Sequence, residues 1–524
     1  MQVQNPILPG FHPDPCICHV GQEYFLVTST FVWFPGVQLY HSRDLVHWRE
    51  LPCPLRRVSQ LDLRGCPNSG GIWAPCLTYC DGVYYLIYTV VRNYHGIFKD
   101  TPNYLVTTTD IFSGDWSEPI YLNSSGFDPS LFHAPDGKKY LVNMLWDHRL
   151  ENHPFGGIVL QEYSPREQKL VGKITNIYQG TEIGCTEAPH LFYKNGYYYL
   201  LVAEGGTLYN HGVRLARSRY LEGPYETDPL PVLTTRHAPN APLQRAGHGS
   251  LTETPDGSPY MVYLCGRPIG EKKRCILGRE TALARLTWDA DGWLRLDSGG
   301  TVPLPTIEVD LPPDPIDPIP VTDRFDTLTL PERYKTLRVP LSEIGSLTKA
   351  PGRLRLYGRQ SITSQDVQSM VARRLQSHAC QITVEMDFAP DDFQQMAGLT
   401  VFYDTFNFFY LYVSREQNRR VLRICVRDNL QFSQPPDAPS PIQDGHVWLR
   451  VCIMGCELQF SYSSDGEQYT QIGGKMDCSN LADEGYSEIG HEGHTGTLVG
   501  MACQDLTGRG KHADFFNYTY KDIQ

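Results

Sequence analysis

The chain has 524 residues, a length that suits two or three domains whose hydrophobic cores need no disulfide bonds. Its formal net charge of -12 repels phosphate backbones, which makes nucleic acid an unsuitable partner. No stretch approaches the ~20 apolar residues that span a bilayer, and residues 1–6 show no leader segment, so we expect a soluble, cytoplasmic protein without a membrane partner.

The 15 cysteines are scattered over the chain, and many lie in apolar, strand-like runs. An odd number of thiols at such positions fits buried free cysteines in a reducing cytoplasm. The close pairs, Cys16 with Cys18 and Cys76 with Cys80, lack a second pair at zinc-finger spacing. We therefore predict that these cysteines are small core residues, and we assign no metal ligand.

A repeat organises the first three hundred residues. Five times a glycine in a turn-like stretch is followed three residues later by a tyrosine and an apolar run, at Gly21, Gly82, Gly137, Gly196 and Gly257. Each repeat therefore contains a β-hairpin and has room for four short strands. All-β repeats of this length bury their faces against one another and close into a ring, which leaves no long open edge. We predict an all-β protein with a five-bladed β-propeller over residues 1–302.

The pattern changes after the fifth repeat. Residues 303–320 include seven prolines, which remove backbone donors and favour an extended linker over 303–321. Beyond it, alternating apolar runs continue without the repeat, and one hairpin turns at Asp465-Gly466. We predict a two-sheet β-sandwich over residues 322–524.

Three acids occur at one offset of the repeat. Seven to nine residues before the five glycines stand Asp14, Ala74, Asp128, Glu187 and Ser250. A single acid before a proline is usually a turn former or a solvated loop charge, but recurrence at a fixed offset favours a joint role. Carboxylates that converge in one channel repel each other, so the arrangement makes sense where protonation is part of a mechanism. Glycoside hydrolysis needs two such groups, one protonated and one ionised.

Six stretches of the chain resemble the motifs of one enzyme family, namely Asn5-Pro6, Phe11-His12-Pro13-Asp14-Pro15, Ser29-Thr30-Phe31-Val32-Trp33-Phe34-Pro35-Gly36, Ile72-Trp73-Ala74-Pro75, Asp128-Pro129-Ser130 and Thr186-Glu187-Ala188-Pro189-His190. They are similar to those of glycoside hydrolase family 43, in its branch of β-xylosidases and α-L-arabinofuranosidases. The resemblance implies a five-bladed propeller followed by a concanavalin-like jelly roll, a loop of which closes the pocket. It implies Asp14 as general base, Glu187 as general acid, and Asp128 as the group that orients Glu187 and keeps it protonated. It also implies inversion at the anomeric carbon, for which we expect the Asp14 and Glu187 carboxyls to lie about 6.5–9.5 Å apart.

Five further residues are candidates for the sugar pocket. Phe31 and Trp73 offer faces on which a sugar ring can stack, although Trp73 could instead pack between blades. The resemblance implies that Arg279 binds a sugar hydroxyl near the acids, with an internal salt bridge as the alternative. His248 occupies the fifth-blade position, where the resemblance implies a histidine that helps to hold an ion or water in the channel; a purely structural histidine is the alternative. His494, where the family commonly has an aromatic residue, is a weaker candidate for the leaving-group subsite.

The sequence thus predicts an exo-acting, inverting glycosidase that releases terminal β-D-xylose from xylooligosaccharides, with α-L-arabinofuranose as a second substrate. No cofactor is required, although Ca²⁺ in the propeller channel stays open. One alternative is an α-L-arabinofuranosidase or an arabinan-cleaving enzyme of the same fold. Another is a carbohydrate-binding propeller without catalysis, because a fold does not determine a function. The resemblance also makes a homo-oligomer, a tetramer, an expectation.

Overall fold

The regular secondary structure of the described residues is almost entirely β, as predicted. The structure is a computed structural model that describes residues 1–435 and 439–523; residues 436–438 and 524, within the predicted sandwich, lie outside it. Its helices have only 4 and 6 residues. Within the described ranges, none has the length and apolar character to cross a membrane.

Five antiparallel sheets follow one another along the first three hundred residues, which confirms the five-bladed propeller. In chain order the strands of this part are β1 (Gln2–Gln4), β2 (Cys16–Val20), β3 (Glu23–Thr28), β4 (Trp33–Phe34), β5 (Gln38–Ser42), β6 (Arg49–Leu51), β7 (Gly71–Cys80), β8 (Val83–Val91), β9 (Asn103–Thr108), β10 (Ile120–Asn123), β11 (Ser130–His133), β12 (Lys139–Trp146), β13 (Phe155–Ser164), β14 (Lys169–Tyr178), β15 (Glu187–Lys194), β16 (Tyr197–Glu204), β17 (Gly212–Ser218), β18 (Glu226–Thr227), β19 (Leu233–Thr234), β20 (Gln244–Glu253), β21 (Pro259–Gly266), β22 (Glu280–Trp288) and β23 (Leu294–Leu296). Blade 1 consists of β2, β3, β5 and β6, blade 2 of β7 to β10, blade 3 of β11 to β14, blade 4 of β15 to β19, and blade 5 of β20 to β23.

The repeated glycines form the first hairpin turn of each blade. All five have positive φ, between 67 and 87°. A tight hairpin needs this left-handed backbone, which glycine adopts without a steric penalty. The repeat in the sequence is therefore the signature of the turn between the two innermost strands of each blade.

Hydrogen bonds between neighbouring blades close the ring. One such bond for each junction, in order around the propeller, is Ala74 N to Ser29 Oγ (2.7 Å), Thr78 Oγ1 with His133 Nε2 (2.9 Å), Ala188 N to Asp128 Oδ2 (3.2 Å), His211 Nδ1 with Arg245 O (3.0 Å) and Ile17 N to Ser250 Oγ (3.1 Å). The last of them joins blade 1 to blade 5. The inner strands are therefore held around one axis.

The predicted linker is ordered against the propeller. Its strand β24 (Thr306–Glu308) pairs with β1 and forms a two-stranded ribbon. The remaining elements are β25 (Thr322–Asp323), β26 (Tyr334–Leu337), α1 (Leu341–Ile344), β27 (Gly345–Ser346), β28 (Leu354–Tyr357), β29 (Ser369–Arg374), β30 (Ala379–Asp387), β31 (Gln395–Phe402), β32 (Phe408–Glu416), β33 (Arg419–Asp428), β34 (Gln431–Ser433), β35 (Ser440–Pro441), β36 (His446–Met454), β37 (Glu457–Ser463), β38 (Thr470–Asp477), α2 (Asp483–Glu488), β39 (Leu498–Asp505) and β40 (His512–Asp522).

These strands form two antiparallel sheets of eight and nine strands, which is the predicted sandwich. The nine-stranded sheet includes a strand of the propeller, because β4 pairs with β26. Buried apolar residues continue across this junction, where the rings of Trp33 and Phe402 pack edge to face at 6.1 Å. Burial of each such side chain contributes about 1.5–3 kcal/mol. The shared core fixes the sandwich loops over one end of the propeller.

Candidate active site

Each blade has a residue with a left-handed backbone in its inner strand or just ahead of it, at the position from which the side chains of the site project. The values of φ lie between 38 and 56° at these positions, which are Asp14, Ala74, Asp128, Ala188 and His248. Positive φ is uncommon outside glycine and concentrates at functional sites. In blades 2, 4 and 5 the pairing register also shifts here, and such β-bulges change the direction of side chains.

The equivalent positions differ slightly from the predicted offsets. Blade 4 places Ala188 rather than Glu187 at the left-handed position, and blade 5 places His248 rather than Ser250. The offset counted along the sequence misses this because a bulge adds a residue to one strand. Ser250 instead accepts the backbone N–H of Ile17 and so links two blades.

One cavity collects every candidate residue. Its volume is about 310 Å³, and its lining includes all eight predicted site residues, Asp14, Phe31, Trp73, Asp128, Glu187, His248, Arg279 and His494. This volume lies at the lower end of the range for pockets that bind small molecules, about 300–1,000 Å³. The three acids among these residues are at most 8% exposed.

Asp14 is held as a carboxylate. Its Oδ2 accepts a hydrogen bond from Ser29 Oγ at 2.6 Å, and its Oδ1 accepts one from Arg279 Nη1 at 2.7 Å. Burial alone would raise the pKa of Asp14, but Arg279, His248 and the Ser29 hydroxyl outweigh it and lower that pKa below its ordinary value. An ionised carboxylate offers about four lone-pair positions. Asp14 can therefore still accept a proton from a water molecule.

Asp128 and Glu187 form a coupled pair that retains a proton. Burial, reinforced by the charge of Asp14, raises the pKa of Asp128 to about 8. Burial and the charges of Asp128 and Asp14 raise the pKa of Glu187 well above its ordinary value. Asp128 Oδ2 accepts the Ala188 N–H at 3.2 Å, which favours its ionised form. Among the residues described by the structure, no donor bonds the Glu187 carboxyl, so Asp128 loses its proton first and Glu187 keeps its proton to a higher pH.

Arg279 connects the propeller acids to the sandwich. Its Nη1 pairs with Asp14, and its Nη2 donates to the backbone oxygen of His494 at 2.9 Å. This salt bridge lies inside the cavity. Arg279 therefore forms an internal ion pair and also lines the candidate active site. His494 is fixed further because its backbone N–H donates to Ser69 Oγ at 3.0 Å.

Aromatic rings form one wall of the cavity beside the ion pair, since the Arg279 guanidinium lies 5.3 Å from the centre of the Phe31 ring. Trp73 is half-buried, and its ring lies 5.9 Å from Phe31, 5.6 Å from Phe127 and 5.6 Å from His494. Its Nε1 donates to Ser69 O at 2.8 Å, which fixes the indole plane. Trp73 therefore packs within its surroundings and also faces the cavity. At position 494 the family commonly has an aromatic residue. Here the imidazole of His494 packs edge to face against the Trp73 indole.

His248 lies beside Asp14, with Nδ1 at 3.9 Å from Oδ1. Burial lowers the pKa of His248 more than the Asp14 charge raises it, so the imidazole is neutral at pH 7. Ca²⁺ takes six to eight oxygen ligands. The carboxylate here is already paired with the Arg279 guanidinium, whose charge also repels a cation. These residues do not fit a Ca²⁺ site.

The sequence did not single out several residues of the cavity. Lys99, in the loop between β8 and β9, donates to Tyr94 O at 2.6 Å and lies 4.3 Å from the centre of the Trp146 ring. Burial lowers the pKa of Lys99, while Glu492 and Glu187 oppose that shift. Such loop residues carry no repeat and no motif. Ser29, which holds Asp14, belongs to one of the quoted motifs and could have been found there.

A sequence profile described as glycosyl hydrolases family 43 matches residues 3–294. The chain belongs to glycoside hydrolase family 43. A second profile, for the beta xylosidase C-terminal concanavalin A-like domain, matches residues 322–521, so this family 43 chain also has the concanavalin-like sandwich expected of it. It is therefore a glycosidase, and the suggestion of a purely binding propeller is not supported.

This family 43 glycosidase is similar over its whole length to proteins of known name. Beta-xylosidase of Bacillus subtilis (strain 168) is 47% identical, over 100% of this chain and 100% of its own length. Xylosidase/arabinosidase 43B of Humicola insolens is 47% identical, over 100% and 98% of the two chains. The crystal structure of xylan beta-1,4-xylosidase from Bacillus halodurans C-125 is 50% identical and superposes with a TM-score of 0.96, over 99% of this chain and 100% of that one.

Proposed function

We propose that this glycosidase removes terminal β-D-xylose units from xylooligosaccharides with inversion of configuration. The observation that carries the proposal is the contrast between two buried acids in one cavity. Asp14 is held ionised by Arg279 and Ser29, while Glu187 is held protonated by burial and by neighbouring negative charge. A base and an acid of this kind are what an inverting glycosidase needs.

The chemistry follows from these protonation states. Glu187 donates its proton to the glycosidic oxygen as the bond to the anomeric carbon breaks. Asp14 accepts a proton from the water that attacks the opposite face of that carbon. Asp128 accepts the Ala188 N–H and so loses its proton before Glu187 does, and its charge then raises the pKa of Glu187 further. The predicted Asp14 to Glu187 separation of about 6.5–9.5 Å leaves space for the water.

The size of the cavity supports removal of one terminal unit. Its volume of about 310 Å³ is small for a ligand pocket and suits one terminal sugar better than a chain running through it. The sandwich contributes Ser487, Glu492, Gly493 and His494 to its lining. A cavity covered in this way receives the end of an oligosaccharide.

A second candidate substrate is α-L-arabinofuranose. The name of the Humicola insolens relative couples xylosidase with arabinosidase. The two pentoses present similar hydroxyl arrangements, and a pocket distinguishes such close analogues by only a few kcal/mol. We propose that arabinofuranosides are slower substrates of the same site.

The test is hydrolysis of 4-nitrophenyl β-D-xylopyranoside, 4-nitrophenyl α-L-arabinofuranoside and xylobiose by the parent chain and by Glu187→Gln. A general acid contributes about 10²–10⁴-fold, so we expect that loss for xylobiose and a smaller one for the nitrophenyl glycosides, whose leaving group needs less help. Glu182→Gln, at an exposed glutamate nearby, is the control and should match the parent. Cleavage of the arabinofuranoside alone would replace the xylosidase proposal with the second candidate. Equal losses on all three substrates would contradict the assignment of Glu187 as the acid.

A further inference from the structure

Three soft metal ligands meet on the inner strands of the propeller. They are Cys16 of blade 1, Cys76 of blade 2 and His190 of blade 4, and their ligand atoms all lie within 4.8 Å of one another. Cys76 Sγ is 4.0 Å from His190 Nδ1. All three lie close in sequence to residues of the candidate active site. Cys16 comes two residues after Asp14, Cys76 two residues after Ala74, and His190 three residues after Glu187. The cluster therefore adjoins the acids without belonging to the cavity lining.

The pKa values of two residues of the cluster, His190 and Cys16, are shifted in the direction that favours metal binding. Burial lowers the pKa of His190 to about 3, so its imidazole is neutral and has a free lone pair. The hydrogen bond from Cys76 lowers the pKa of the Cys16 thiol despite burial. The same hydrogen bond, together with burial, raises the pKa of the Cys76 thiol, so Cys16 is the first of the two to ionise and Cys76 would lose its proton only on binding of the ion. Thiolates, not thiols, are the metal ligands.

We propose that Cys16, Cys76 and His190 form a binding site for Zn²⁺ that joins three blades of the propeller. Two thiolates and one imidazole are ligands that Zn²⁺ prefers and Ca²⁺ does not. On binding, the two thiol protons pass to solvent, and the two thiolate charges neutralise the 2+ charge of the ion. A neutral assembly is the one that a buried site accommodates, since Cys16 and Cys76 are each only 3% exposed.

The accessibility of the cluster and the room for a fourth ligand also suit Zn²⁺. His190 keeps part of its surface accessible, whereas the two cysteines are buried. Zn²⁺ takes four ligands in tetrahedral geometry, so a water molecule would complete the shell. Ser250 Oγ, 3.8 Å from Cys16 Sγ, provides a hydroxyl beside the cysteine. The site goes beyond the glycosidase activity and does not depend on it.

The experiment uses Co²⁺ as a spectroscopic substitute for Zn²⁺. The full chain is treated with a chelator, kept reduced, and titrated with Co²⁺ while the visible and near-ultraviolet spectrum is recorded. We expect tetrahedral d–d bands and thiolate-to-cobalt charge-transfer bands that saturate at one equivalent and disappear when Zn²⁺ is added. We expect Cys16→Ser, Cys76→Ser and His190→Gln to lose these bands.

Matched controls are Cys18→Ser and Cys80→Ser, the other cysteines of β2 and β7, which should keep the bands. Circular dichroism shows whether each variant is folded, and three separate ligand variants keep the test decisive where one of them is unstable. The proposal is overturned if the reduced parent shows no charge-transfer band, or if the band persists in folded Cys16→Ser and Cys76→Ser. A Cys16–Cys76 disulfide in freshly isolated protein, detected by mass spectrometry, would overturn it as well.

Discussion

Arg279→Gln is the substitution that tests the electrostatic account of the acids. Arg279 lies 2.7 Å from Asp14 and lowers the pKa of Asp14, Asp128 and Glu187 alike. An opposite charge at this distance lowers the pKa of a carboxyl by about 1–3 units, or about 1–4 kcal/mol. Removing it therefore raises all three pKa values. Asp14, the base, then ionises only at a higher pH, and Glu187, the acid, keeps its proton to a higher pH.

Both limbs of the bell-shaped profile of kcat/KM should consequently move to higher pH, the acidic limb by about 1–3 units. The assay is hydrolysis of 4-nitrophenyl β-D-xylopyranoside across the pH range. Loss of a sugar contact would lower the amplitude at every pH, so the positions of the limbs separate the two effects. Arg285→Gln, at a half-buried arginine of β22 that pairs with Asp310 outside the cavity, is the control and should leave both limbs in place. An unmoved acidic limb in Arg279→Gln would refute the pairing as the cause of the low Asp14 pKa.

Three further predictions concern the Asp128–Glu187 pair, the aromatic wall of the cavity, and the junction between the propeller and the sandwich. Asp128→Asn removes a charge that raises the pKa of Glu187, so the alkaline limb of kcat/KM should move down by on the order of one pH unit; an upward shift would contradict this. Trp73→Ala removes an apolar face of the cavity and should raise KM about tenfold, or ~1.4 kcal/mol, with little change in kcat in steady-state assays. Arg245→Met leaves the buried carboxylate of Asp483 unpaired and should lower the free energy of unfolding by urea by about 3–5 kcal/mol; an unchanged midpoint would contradict this.

The sequence predicts the propeller well because its signal is local. A glycine in the first hairpin turn of each blade is required by the backbone there, and Gly21 and Gly257 mark the first and last blades. The acids are also found locally, because Asp14 and Asp128 precede the inner strands at the repeated position. Glu187 reaches the cavity from a bulged strand, so its position is not the simple repeat equivalent.

Contacts across long stretches of chain could not be predicted in this way. The Arg279 side chain donates a hydrogen bond to the backbone oxygen of His494, 215 residues further along the chain. Nothing in the local sequence around either residue indicates this contact. Lys99 reaches the cavity through a loop whose course depends on packing against Trp146. Cys76 and His190, separated by 114 residues, meet only because blades 2 and 4 face one axis.

The central claim, that Asp14 activates a water opposite a sugar whose leaving group is protonated by Glu187, determines the configuration of the product. Proton NMR of xylobiose hydrolysis, recorded before the released sugar equilibrates, shows which anomer forms first. The account predicts that α-D-xylose appears first from the β-linked substrate, in the parent and not in Asp14→Ala. Initial release of β-D-xylose would contradict the account, because it would mean a carboxylate that attacks the sugar and not one that activates water.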